Sequence, residues 1–243
     1  MNEGVQRVSR AGQRGASLLT SLILLAAIML LGATTAGITV QGEKAARNER
    51  DFRLAFFAAE AALRDAQADM DRDDEREKAV FLPVDAAMFI DGCGTAKHGK
   101  SHGLCAPALN AKPPAWITAD LLATGDEGTP TVALGTHTGR SFPTGDGSLP
   151  ARLPRYLIEL LDATGQELTA DDKAIHAVYR ITAVGFGMRS STHVVLQAVY
   201  RRDRIPNEAE ESKEEPPYHY RSRRLSWREI PHWQELHDAI KKK

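Results

Sequence analysis

Hydrophobic and polar positions follow three successive patterns along the chain. From Gly15 to Gly42 there is no charged residue at all. The apolar run from Ala16 to Val40, if helical, reaches about 37 Å, which exceeds the ~30 Å hydrocarbon core of a bilayer. The expectation is a membrane-spanning helix over residues 16–42. From Glu43 to about Lys78 neither proline nor glycine occurs and helix formers dominate, so the helix is expected to continue. Phe52, Phe56, Ala59, Leu63, Ala66 and Met70 recur at spacings of four and three, which places them on one stripe. The stripe is too short for a sustained coiled coil and predicts a helix seated on a core. Glu43/Arg47, Glu49/Arg53 and Glu60/Arg64 are acid-before-base pairs that support an exposed helical face.

Between about Ala79 and Pro150 prolines and glycines break the chain into short apolar pieces, and no period of two or of 3.6 persists. A long irregular insertion is expected there. Beyond it, Tyr156/Ile158/Leu160, Tyr179/Ile181/Ala183, Val194/Leu196/Ala198/Tyr200 and Leu225/Trp227 alternate with polar neighbours such as Glu159, Arg180, Thr182, Gln197 and Arg228. Four strands with one apolar face follow, and the short Gly185–Ser191 connection predicts a hairpin. The fold class is therefore α+β, with the amphipathic half of the helix on a four-stranded antiparallel sheet. From His232 onward a short helix and a loose tail are equally compatible with the sequence.

Charge sets the direction of the chain. Arg7, Arg10 and Arg14 precede the apolar run with only Glu3 against them, which by the positive-inside rule leaves the N-terminus cytoplasmic. Residues beyond the span are expected outside the cytoplasm. A net charge of −1 offers no basic field for nucleic acid. The acidic run Glu208–Glu215 and the Lys241–Lys243 tail read as solvated segments. What remains outside the membrane is of a size that one core can serve.

The polar leader ending Gln13-Arg14-Gly15, followed by Ala16-Ser17-Leu18-Leu19, resembles the class III signal of type IV prepilins. The resemblance implies cleavage between Gly15 and Ala16 by the prepilin peptidase and N-methylation of Ala16. The block Arg50-Asp51-Phe52-Arg53-Leu54-Ala55-Phe56-Phe57-Ala58-Ala59-Glu60-Ala61-Ala62-Leu63-Arg64-Asp65 resembles the PilX family of type IV pilus minor pilins, and Tyr179–Gly185 and Val194–Tyr200 fit it too. Most pilins carry a glutamate five residues after the cut, where this chain has Thr20. The missing carboxylate suits a rare subunit at a filament tip rather than a repeated one.

With the resemblance, the segments are a cytoplasmic leader (1–15), a transmembrane half-helix (16–42), an amphipathic half-helix (43–78), the insertion (79–150), the antiparallel sheet of a pilin-like head (151–231) and a C-terminal tail (232–243). The small residues Gly32, Ala33, Ala36 and Gly37 permit close helix packing.

Cys93 and Cys105 are the only cysteines, and the inferred topology places both in an oxidising compartment. A structural disulfide is the leading expectation. Metal binding is the sharper alternative, since Cys93, His98, His102 and Cys105 supply four donors in one short loop, though the spacing fits no zinc knuckle closely. The same loop, Gly94-Thr95-Ala96-Lys97-His98-Gly99-Lys100-Ser101, satisfies the phosphate-loop pattern, and Leu157–Asp162 resembles a Walker B strand. That motif needs a helix starting at its lysine, whereas His102-Gly103-Leu104-Cys105-Ala106-Pro107 follows. Neither nucleotide nor any other cofactor is expected. No nucleophile elbow, His-Glu-x-x-His or triad pattern occurs, so a non-enzymatic protein is expected.

These readings converge on a minor pilin of a type IV pilus, inserted in the inner membrane and assembled into the tip or priming complex, with roles in adhesion or twitching motility. The resemblance implies as partners other minor pilins and the major pilin, a tip-associated adhesin, the prepilin peptidase and the inner-membrane assembly platform. The alternatives are a minor pseudopilin of type II secretion and an uncleaved membrane-anchored periplasmic binding or sensor protein.

Overall fold

The computed structural model describes residues 16–72, 80–81, 86–108, 112–162, 176–206 and 218–242, with the side chains at 33–40, 162, 176, 204–206 and 218–220 outside the description. The chain divides into two compact units, residues 1–49 and 50–243. In the first, helix α1, which spans Ala16–Asp71, begins with a bare apolar surface. Its large side chains from Leu18 to Leu31 are 58–70% exposed.

The second unit is built on a six-stranded sheet. Its strands are β1 (Leu104–Cys105), β2 (Val132–Ala133), β3 (Arg155–Asp162), β4 (His176–Phe186), β5 (His193–Pro206) and β6 (Tyr218–Glu229). Strands β3 to β6 form an antiparallel meander in chain order. The far edge of β3 is shared, with β1 alongside in parallel and β2 antiparallel. Four strands were expected and four long ones occur. The two extra strands come from the insertion and are two residues each, too short to carry an alternation. Only the exposed edge of β3 recruits them. The expected hairpin between β4 and β5 closes through Gly187 N–H donating to the Thr192 carbonyl at 2.8 Å.

The sheet is covered on both faces rather than one. On one face Tyr156, Ile158, Leu160, Tyr179, Ile181, Leu196, Ala198 and Tyr200 pack with α1 and with Phe81 and Phe89. On the other, Leu157, Val184, Phe186 and Val195 pack under α2 (Ala115–Thr118) and α3 (Trp233–Lys241). The C-terminal segment is therefore a docked helix. Its Trp233 is 2% exposed and donates its indole N–H to the Trp116 carbonyl at 2.8 Å. The polar residues of the strands stay on this second face but pair with each other. Gln197 donates to Thr182 Oγ1 at 2.9 Å and accepts from Arg228 at 2.7 Å, so their burial leaves these groups bonded.

The helical half in the second unit buries Asp51, Ala55, Ala58, Ala59, Ala62, Leu63, Asp65, Ala66, Asp69 and Met70. Alanines let the backbones approach. A β-carbon on Gly185 of β4 would fall 2.1 Å from the Ala55 carbonyl oxygen and 2.2 Å from the Ala59 nitrogen. The residues to which the helix was expected to extend, 73–78, lie outside the described residues.

Candidate functional site

The residues singled out by sequence separate into three places. At the N-terminal end, Ala16 is the first residue of α1, while Gly15 lies outside the described residues. Thr20 donates its hydroxyl to the Ser17 carbonyl at 3.0 Å and Ser21 to that of Leu18 at 2.9 Å. Their polarity is thus turned back into the helix, and the surface they share with the leucines stays apolar. Among the described residues no helix is long and apolar enough to cross a membrane. Of the expected span, the side chains at 33–40 lie outside the described residues.

The second place is the packing stripe of α1. Ala59, Leu63, Ala66 and Met70 are completely buried, Phe56 is half-buried against the core, and Phe52 remains 39% exposed. The stripe therefore tilts away from its bulkiest members. Its buried edge runs through Asp51, Ala55 and Ala62, because Gly185 near the end of β4 and Gly187 just beyond it bring the backbone too close for larger side chains. Phe56 instead forms edge contacts with Phe57 at 6.1 Å and Trp227 at 5.9 Å between ring centroids.

Sequence periodicity missed the aspartates on this buried face. Asp51 accepts from the Met188 amide and from the Thr192 hydroxyl at 2.6 Å, which locks the β4–β5 turn to the helix. Asp65 accepts from Gly135 N–H at 2.8 Å and from the Thr138 hydroxyl, and Tyr156 donates to Asp69 at 3.2 Å. Asp71 accepts from Ser222 through both N–H and hydroxyl. Four aspartates at spacings of fourteen, four and two residues thus fasten one helix to a turn, a loop and two strands. Acidic residues on a helix read as solvent-facing, and the only available signal was their placement among alanines on the stripe's edge.

The third place is the disulfide loop. Cys93 and Cys105 are bonded at 2.03 Å. Ile90 N–H donates to Leu104, Ala106 N–H to Ile90 and Gly103 N–H to Gly94, so the loop is tied at its base and its neck. Oxidation consumes both thiols of the metal alternative. His98 Nδ1 is occupied by the Thr95 amide at 2.9 Å, and His102 is buried beside His137. Among the described residues no group of three or more metal-ligating side chains gathers. The phosphate-loop pattern likewise lacks its helix. Residues Ala96–Ser101 form a short 3-10 segment kinked at Gly99, and at His102 the chain turns extended. Lys100 opens no α-helix, so the amides and dipole that cradle phosphates are missing.

Buried titratable groups serve packing. Burial pushes the Glu159 carboxyl up against the opposing pull of Arg180, 3.6 Å away, and of the Trp116 and Ala115 amides at the start of α2. Burial lowers His102, keeping the imidazole neutral, and raises the Tyr179 phenol.

Comparison with protein families matches two profiles. One, described as PilX N-terminal, covers residues 14–64, which hold the start of α1 and its stripe as far as Leu63. The other, described as Type IV pilus assembly protein PilX C-term, covers residues 101–202, from the disulfide loop into β5. Among curated proteins and solved structures, none matches this chain. The two matched segments together span more than half of the chain and meet in the helix-on-sheet unit just described, so the chain belongs to the PilX family of type IV pilus assembly proteins.

Proposed function

We propose that this minor pilin is made as a prepilin, cut between Gly15 and Ala16, N-methylated at Ala16, and held in the inner membrane with its N-terminus cytoplasmic until it enters the tip or priming complex of a type IV pilus. Membership in the PilX family makes it a pilus-associated protein that works with other pilus components. The observation that carries the finer reading is α1 itself. From Leu18 to Leu31 it exposes a leucine-rich surface of the kind that needs lipid or neighbouring helices. Thr20 supplies no carboxylate to the helix surface, which favours a rare position in the filament over a repeated one.

In this reading the protein is structural, not an enzyme. The apolar helix provides filament contacts, and the head provides contacts to minor and major pilins and to a tip-associated adhesin, in support of adhesion or twitching motility. The prepilin peptidase and the inner-membrane platform act on it before assembly. The test is mass spectrometry of the N-terminal peptide from membranes and from sheared surface filaments, with and without the host's prepilin peptidase. An N-methylated Ala16 terminus that depends on the peptidase is the expected result. An intact leader in both strains would reduce the protein to a simple anchored envelope protein.

A further inference from the structure

Strand β6 is an edge of the sheet, and the two ends of that edge differ. Ile230 N–H donates to the Val195 carbonyl at 2.9 Å, which fixes the residues that turn their backbone toward β5. Along the register from that bond, Arg228 and Ser226 face β5, while the N–H and carbonyl groups of Trp227 and Glu229 point outward. Beyond the bulge at Val199/Tyr200 the outward groups are those of Ser222, and α1 covers them. The Ser222 amide donates to Asp71 at 3.1 Å and its carbonyl accepts from Gln67 at 3.4 Å. At Trp227 and Glu229 the outward backbone groups have no hydrogen-bond partner among the described residues.

The same register places the side chains beside this open stretch. Trp227 lies opposite Ala198 and Glu229 opposite Leu196, both on the face that carries α1, whereas Arg228 lies opposite Gln197 on the other face. The Trp227 ring meets Phe56 at 5.9 Å between centroids, and Phe57, 6.1 Å from Phe56, is exposed. Glu229 lines, with Phe52, Val194 and Asp238, a notch of about 470 Å³ at the end of the strand. The described residues lining it include no lysine or arginine, and His232 there is held by Glu235 at 3.5 Å. Glu229 forms no ion pair among the described residues.

We propose that the open edge at Ser226–Glu229 takes up an extended segment of another protein as an added strand, with an apolar side chain against Trp227 and a basic one against Glu229. Side chains on one face of a strand repeat about every 6.7 Å, so a segment that is apolar at one position and basic two residues on meets Trp227 and Glu229 in turn. Backbone pairing supplies the attachment, and those two positions supply the choice of partner. A second copy of the same strand fits worse. The antiparallel register that uses all the outward groups, Trp227 against Glu229 and Glu229 against Trp227, sets Arg228 directly opposite its own counterpart. This surface is independent of processing at Gly15, and its failure would leave that reading in place.

The experiment uses the full chain in neutral detergent and a fluorescent peptide in which valine and lysine stand two residues apart in a threonine–serine frame. Two controls each differ from it in one feature: N-methylation of the central amides, which removes strand pairing, and glutamate in place of lysine. Wild type is expected to bind the first peptide at least roughly tenfold tighter than either control. Trp227→Ala is expected to lose about tenfold in affinity. Glu229→Lys is expected to prefer the glutamate peptide over the lysine one. Failure of the wild type to bind, equal binding of the N-methylated peptide, equal binding of the lysine and glutamate forms, or unchanged affinity in Trp227→Ala would overturn the proposal. So would a dimer of the chain that excludes the peptide, since a second copy would then hold the edge. If a variant unfolds by circular dichroism, the wild-type ranking of the three peptides decides.

Discussion

The two parts of α1 share a helix but not a way of being stable. From Leu18 to Leu31 the large side chains stand exposed and the few hydroxyls bond back to the helix's own carbonyls. From Asp51 to Asp71 one face carries small residues, and aspartates on and beside it bond to residues far along the chain. Bulky apolar surface asks for any apolar neighbour, whereas alanine with aspartate asks for one particular backbone. The first half suits a role in which partners are exchanged, and the second fixes a head.

That contrast breaks most sharply at Gly185. Gly185→Ala sets a methyl group into the α1 backbone, and a loss of at least about 3 kcal/mol, or failure to fold, is expected from overpacking that no side-chain rotation relieves. Denaturant unfolding of purified protein measures it; a change below about 1 kcal/mol would show that helix and sheet can separate cheaply. Removing the disulfide with Cys93→Ala and Cys105→Ala should cost about 3 kcal/mol, as expected for the short loop that its separation of 12 residues closes. Reduction of the wild type should reproduce most of that loss.

A smaller effect concerns Glu159. Because burial raises its folded-state carboxyl above the unfolded value, the neutral form is favoured in the fold. Its contribution is present below the unfolded value near pH 4.5 and is lost as pH rises through the raised folded value. Glu159→Gln should therefore melt higher than wild type at pH 8, with the difference shrinking toward pH 4. An unchanged difference across that range would assign the effect to packing alone. The smallest effect is expected in the other half of the helix. Leu24→Ser, at a side chain 64% exposed, should leave unfolding of the head within about 0.5 kcal/mol of wild type while weakening retention in membranes.

Much of the head was legible because its long strands alternate and its helix repeats. The hairpin between β4 and β5, the four long strands and the cysteine pair are all local patterns, and each appears where the pattern placed it. The short strands β1 and β2 were not legible, since two residues carry no period and their pairing depends on the edge that β3 leaves open. Phe52 was misplaced for a related reason. Periodicity weights bulk, but the close approach at Gly185 selects smallness, and the helix turned its alanines inward.

By itself the sequence determined the apolar helix start, the helical stripe, the strand alternation and the disulfide, because each follows from spacing between near neighbours. Only the tertiary structure decided which side of the stripe is buried, that both sheet faces are covered, and that aspartates serve as anchors. Those outcomes depend on which backbone comes close enough to meet a side chain, and that distance is set by the whole fold rather than by any one segment.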